Sequence, residues 1–353
     1  MIDPVTVGII GTIGLFILLF LGMPIAFALF LIGFCGITFL TSVQAAMPVV
    51  ASTVYEVSAF YPYIVITLFI VMGGFAGSSG MTQELYTTFE KWLRRLPGGL
   101  GIATIVACGG FAAVSGSSVA TAAAMGTVAY PEMERHKYRP ALSTGCIAAG
   151  GTLGFLIPPS IGFIVYGMLT EQSIGKLLIA GITPGIMLAT AYVAIVVLMV
   201  RIWPSMAPVQ SAAATWREKV RALRGVWEPL AVFVVAIGGI YVGVFTPTEA
   251  GAVGATILFG IALAKRKLTW PNLVEALFNT VRISVMVLLL VAGANVFSYF
   301  LALTTIPMQA ASWAANLHTS PYIILVFFLL MYLFLGCFLY AISMMVLTMP
   351  VIY

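Results

Sequence analysis

Three stretches of this chain, Val5 to Leu40, Leu177 to Val200 and Ile283 to Leu303, pass without one charged residue. Each is at least as long as the ~20 apolar residues an α-helix needs to cross the hydrocarbon core of a bilayer. Only 8% of the residues are charged, against roughly 25% in soluble domains, so a soluble fold of this size would lack polar surface. Where water is absent a helix satisfies its own backbone, so these runs specify an all-α polytopic membrane protein. Only Asp3 precedes the first run as a charge and no small-residue cleavage pattern follows it. The first helix is therefore expected to be a retained span and not a signal peptide.

The remaining charges sort the runs into a topology. Basic residues cluster at Lys91, Arg94 and Arg95, at Arg135, Lys137 and Arg139, from Arg201 through Arg224, and at Lys265, Arg266 and Lys267. By the positive-inside rule all four clusters face the cytoplasm. The net charge of +5 comes from them and gives no reason to expect a nucleic-acid partner. Chain between two clusters must enter the membrane and return. In Leu96 to Pro131 the small polar run Ala113, Val114, Ser115, Gly116, Ser117, Ser118 separates two arms, each too short to cross ~30 Å at 1.5 Å per residue. A re-entrant helical hairpin fits. Ala141 to Val200 makes two passages, turning outside at Thr170 to Lys176. The first of these contains Gly154, Phe155, Leu156, Ile157, Pro158, Pro159, Ser160, and a double proline breaks a helix there. Val226 to Ala264 makes two more, turning at Thr246 to Glu249, with Thr248 expected to cap the next helix and Glu249 to favour its positive end.

The same order of events recurs at a spacing of about 220 residues. Phe60 to Met81 followed by Thr87 to Leu93 parallels Ile283 to Pro307 followed by Gln309 to Leu317, and Ser115 through Pro131 parallels Leu335 through Pro350. The charges give the two copies opposite orientations, the plan of inverted-topology repeats with broken helices near the midplane. The chain divides accordingly: first-repeat scaffold helices over 1–90, the first-repeat transport hairpin and broken helix over 91–200, and a cytoplasmic amphipathic linker over 201–225. Second-repeat scaffold helices follow over 226–318, and 319–353 begins the second hairpin. Trp92, Arg94 and Arg95 beside Leu85 and Phe89 read as a second surface helix, one that supports the hairpin.

Broken helices leave carbonyls free at one end and N–H groups at the other. Carbonyls and hydroxyls suit a hard, weakly held cation such as sodium, and helix N-termini suit a carboxylate. The candidate ion site is therefore Ser115, Gly116, Ser117 and Ser118 with Gly154, Ile157, Pro158, Pro159 and Ser160, and it carries no formal charge. Gly, Ala and Ser are also ordinary packing residues of membrane helices, and Ala120 to Gly126 reads as such a surface. The four cysteines, Cys35, Cys108, Cys146 and Cys337, are isolated in apolar runs and read as small buried residues. There is no H-E-x-x-H, no G-x-S-x-G and no P-loop, Asp3 is the only aspartate, and His136 and His318 read as loop residues. No catalytic residues, transition-metal site or cofactor is expected, and the chain does not read as an enzyme.

Gly109 to Gly126, Pro131 to Met133 and Leu153 to Ser160, with Glu171 to Leu177, Ala180 to Gly185 and Thr246 to Ala252, together resemble the large membrane subunit of tripartite ATP-independent periplasmic (TRAP) transporters, the DctM-like family. The resemblance covers essentially the whole chain. It implies a sodium-coupled, elevator-like importer in the bacterial inner membrane, with a small TRAP membrane subunit and a periplasmic substrate-binding protein as partners. It implies organic acids as substrates, of the C4-dicarboxylate, sialic acid or 2-oxo acid class. By it the Ser115 to Ser118 tip and the Gly154 to Ser160 break correspond to the first sodium site. It also implies a C-terminally incomplete repeat: Tyr340 stands where an acidic residue is usual, and the second sodium site would draw on sequence beyond Tyr353. Two other readings stay open on the sequence, a stand-alone sodium/carboxylate symporter and a truncated fragment acting only in assembly.

Overall fold

The structure is a computed structural model that describes residues 3–208, 214–309, 312, 320–337 and 339–352. His318 and most of Gln309 to Leu317, the second-repeat counterpart of Thr87 to Leu93, lie outside the described residues. So do 209–213, within the linker. Among the described residues there is no strand. The chain runs through α1 (Pro4–Phe20), α2 (Ile25–Leu40), α3 (Val43–Ala59), α4 (Ile64–Ser78), α5 (Met81–Leu93), α6 (Gly99–Ser115), α7 (Ser118–Arg135) and α8 (Pro140–Leu156). It continues through α9 (Ile161–Leu169), α10 (Ile174–Ile202), α11 (Trp216–Ala222), α12 (Trp227–Val242), α13 (Pro247–Ala264), α14 (Trp270–Thr304), α15 (Pro321–Gly336) and α16 (Ala341–Ile352).

Among the described residues Tyr61–Ser78, α10, α13 and α14 are long and apolar enough to cross a membrane, and the count rises to six if the bent pairs α8 with α9 and α11 with α12 are each one span. The uncharged run Val5 to Leu40 is not one rod. Gly22 takes φ +85° and Pro24 opens the next helix, so α1 and α2 are 17 and 16 residues long, slightly under the ~20 of an untilted span. The run from Ile283 belongs to a single 35-residue helix that already starts at Trp270.

The chain forms two compact units. One comprises the described residues of Met1–Tyr63, Leu169–Glu171 and Ile283–Tyr353. In it α1 and α2 present glycines three apart to α14: Gly11 and Gly36 face the ring of Phe300, and Gly33 lies against Val296. Phe300 is thereby fully buried. In a bilayer, where lipid is as apolar as leucine, such close approach is what holds helices together.

The other unit comprises Ile64–Met168 and Gln172–Arg282. Here α6, α7 and α8 pack through small residues, Gly150 over Cys108 and Gly151 over Ala122, around a core of Leu100, Ile105, Met133, Leu153 and Val196. Cys108 and Cys146 are buried as expected; Cys35 and Cys337 are exposed. On α2 the inward positions are taken by Gly33, Gly36 and Ile37, which turns Cys35 outward. The cap of α13 also differs from expectation. Pro247 occupies the first turn, so Thr246 and not Thr248 is the N-cap. Its hydroxyl accepts from the Glu249 N–H at 3.3 Å while the Glu249 carboxylate accepts from the Thr246 N–H at 2.8 Å. That reciprocal cap accounts for the acidic residue at this turn.

Where α13 ends beside the first turns of α5 and α12, Lys265 lies between two carboxylates, 2.6 Å from Glu228 and 2.7 Å from Glu84. Glu228 is 2% exposed and its second oxygen has no hydrogen-bond partner among the described residues. Burial works against the charged ammonium of Lys265, but the two carboxylates outweigh it and hold its pKa above the ordinary 10.5.

Candidate functional site

The hairpin tip follows from one glycine and one serine. Helix α6 stops because Gly116 adopts φ +62°, and its N–H closes back on Ala112 at 3.1 Å. A β-carbon there would strike the carbonyl oxygen of Pro159, so the position excludes every other residue twice over. Ser117 then caps α7, its hydroxyl accepting from the Ala120 N–H at 3.3 Å.

The second interruption lies in the span formed by α8 and α9, which bends by 41°. Ile157 closes α8 onto Leu153 at 2.8 Å, the prolines at 158 and 159 have no N–H to give, and the helix resumes at Ile161. Ser160 stitches the gap: its hydroxyl donates to the Phe155 carbonyl and accepts from the Phe163 N–H at 3.4 Å.

The two interruptions touch. In an unbroken helix the Ile161 N–H would bond to the Ile157 carbonyl; instead it donates to the Gly116 carbonyl at 3.2 Å. Gly154 permits the approach from the other side, because a β-carbon on it would lie 2.6 Å from the Ser117 carbonyl oxygen and 2.9 Å from the Ser118 nitrogen. Gly116, Ser117 and Ser118 are thus gathered with Gly154, Pro159 and Ser160. The C-terminal ends of α6 and α8 and the N-terminal ends of α7 and α9 meet here, which brings partial negative and partial positive charge together without an ionised side chain.

Other members point elsewhere. The Ile157 side chain packs on Gly109 and Gly185, and Pro158 lines an apolar crevice of about 270 Å³ with Leu85, Phe89, Leu230 and Phe233. The Ser115 hydroxyl is hydrogen-bonded to Thr121 at 2.8 Å, and both residues are buried. Thr121 and Gly73, whose missing β-carbon would lie 2.9 Å from the Ser115 carbonyl oxygen, are residues that sequence reasoning did not single out. Thr121 begins the next turn after the Ser117 cap, and that spacing was the available signal. Nothing local marks Gly73.

A third interruption separates α15 from α16, where the helix ends on a right-handed Cys337 and not on a left-handed glycine. Leu339 still bonds back to Leu335 at 2.9 Å, Tyr340 accepts from the Met344 N–H at 2.9 Å, and Tyr332 and Thr348 join the two helices through their hydroxyls at 2.8 Å.

Residues 12–353 match the family model described as "Tripartite ATP-independent periplasmic transporter, DctM component". The chain is 34% identical to the C4-dicarboxylate TRAP transporter large permease protein DctM of Pseudomonas aeruginosa, over 86% of this chain and 70% of that protein. It is 30% identical to the sialic acid TRAP transporter large permease protein SiaM of Vibrio cholerae, over 97% of this chain and 78% of that protein. With the isethionate TRAP transporter permease protein DctMQ of Oleidesulfovibrio alaskensis it shares 32% identity over 99% of its own length, spanning 54% of that protein.

Proposed function

The chain belongs to the TRAP transporter family as its DctM component, a large permease subunit and not an enzyme, and on that premise we propose that it imports organic acids in symport with sodium. The observation that carries this reading is the meeting of the two interruptions. Main-chain carbonyls and helix ends of Gly116, Ser117 and Ser118 meet those of Gly154, Pro159 and Ser160, and none of these residues is charged. Such a set suits a sodium ion that must be released in every cycle, and the adjoining helix N-termini suit a carboxylate.

The partners in this reading are a small TRAP membrane subunit and a periplasmic substrate-binding protein, working in the bacterial inner membrane. The α15–α16 interruption supports an inverted second repeat with a hairpin of its own. The close packing of α6, α7 and α8 supports an elevator-like step in which the hairpin and broken helix move as one body. Relatives named for C4-dicarboxylates, sialic acid and 2,3-diketo-L-gulonate support a small organic acid as the substrate.

The test is uptake by proteoliposomes holding the complete permease complex with its binding protein. Accumulation of a labelled organic acid should require an inward sodium gradient. Ser115→Ala and Ser118→Ala should each raise the half-saturating sodium concentration by about tenfold, equivalent to ~1.4 kcal/mol at one ligand position. A sodium response identical to that of the unsubstituted protein in both variants would remove these residues from the ion site.

A further inference from the structure

The linker before α12 carries a feature that ion coupling does not use. Helix α11 opens with a reciprocal cap in which the Glu218 carboxylate accepts from the Thr215 N–H at 2.8 Å and hydroxyl at 2.9 Å. Those hydrogen bonds hold its carboxyl below the usual range. The acid is thereby engaged in its own helix, and among the described residues Lys91, Arg217, Arg221 and Arg224 form no ion pair.

The linker is fixed to α5. The Trp92 indole N–H donates to the Lys219 carbonyl at 3.0 Å, and the Thr88 hydroxyl donates to the Ala222 carbonyl at 2.7 Å. Trp92 and Trp216 meet at 5.7 Å, and Lys219 sits over the Trp92 ring. Between the two elements lies a cleft of about 340 Å³ lined by Gln83, Thr87, Lys91 and Arg224. Glu84 lines it too, but its carboxylate is held by Lys265 at 2.7 Å. The cleft therefore offers an ammonium, a guanidinium and an amide as donors, with no uncommitted anion.

An apolar stripe continues alongside. Trp216, Val220, Leu223 and Trp227 recur at steps of four, three and four residues, and they are 70%, 49%, 47% and 55% exposed. The stripe runs into α12 across a bend of 44°. Basic donors beside an exposed aromatic and aliphatic edge match the two halves of a lipid at the membrane surface.

We propose that the cleft between α5 and α11 binds the phosphate of an anionic phospholipid, with Lys91 and Arg224 on the headgroup and the Trp216–Trp227 stripe against its acyl chains. A soluble phosphate would use the donors but leave the stripe in water, which is why the lipid is the occupant. This site stands independently of the sodium reading.

The test uses the complete permease complex in detergent, followed by thermal stability during titration with dioleoylphosphatidylglycerol, dioleoylphosphatidylcholine or inorganic phosphate. Phosphatidylglycerol should stabilise it and phosphatidylcholine should not. Lys91→Ala with Arg224→Ala should raise the half-effective phosphatidylglycerol concentration by about thirtyfold, from two basic residues near an anionic surface. Lys91→Arg with Arg224→Lys should restore most of the response, which separates lost charge from lost folding. An unchanged response in the alanine pair overturns the proposal. Full stabilisation by inorganic phosphate overturns the lipid assignment in favour of a soluble anion. Protection of Lys91 from amine labelling by the small subunit, without lipid, would assign the cleft to a protein partner instead.

Discussion

Gly116→Ala is expected to destabilise the folded protein by on the order of 3 kcal/mol and, on the proposed function, to abolish sodium-driven uptake. A left-handed backbone costs an alanine about 1–2 kcal/mol, and forcing an added carbon into a filled space costs typically ~1–3 kcal/mol more. The obstruction is the Pro159 carbonyl, part of a backbone segment held by its own neighbours and not the end of a flexible side chain. To fit the methyl group, the tip must withdraw from the break, and the Ile161–Gly116 hydrogen bond is lost with it. Gly126→Ala is the matched control on the adjoining helix, since its β-carbon would meet nothing within 4 Å. That change should be neutral or stabilise by up to about 1 kcal/mol, because glycine inside a helix is unfavourable. Thermal midpoints of the two purified variants should shift in opposite directions or differ by many degrees. Equal midpoints would mean that the tip is not seated against the proline break.

The second large effect is expected at Lys265. Lys265→Met should destabilise by about 3–5 kcal/mol, the usual result of removing one partner from a buried ion pair. Glu228, almost wholly buried, would then lose its counter-ion while its second oxygen already lacks a hydrogen bond. Adding Glu228→Leu should recover most of the loss, because an apolar replacement of both partners removes the uncompensated charge. If the two substitutions add without coupling, the pair is not the cause. The pH dependence has a definite sign. The folded-state pKa of Lys265 lies above its ordinary value, so its stabilisation is complete below about pH 10 and is lost as pH rises through the folded value. Alkaline titration of stability should show that loss in the unsubstituted protein and not in Lys265→Met.

The interruptions were legible in the sequence because their causes are local. A glycine between serines ends one helix and caps the next, and two successive prolines can only break a helix. Their contact was not legible in residue detail. That Ile161 would bond to Gly116, or that Gly73 would make room for the Ser115 carbonyl, depends on packing between separate helices. The cap of α13 shows the same limit at short range: two threonines flank Pro247, and only the reach of Glu249 to the first of them decides between them. Phe300 seated on Gly11 and Gly36 shows it at long range, since the sequence marks small residues without saying what fills them. The acid pair around Lys265 was equally hidden, because Glu84 and Glu228 lie far from it along the chain.

The single hydrogen bond from Ile161 to Gly116 has a consequence for gating. Each interruption, taken alone, is a place where a membrane helix could open and shut. Joined as they are, the hairpin tip cannot lift without stripping the donor at the head of α9, and α9 cannot swing without pulling on the tip. Neither is a free door. On the proposed transport reading, a gate in this unit hinges outside the joined pair.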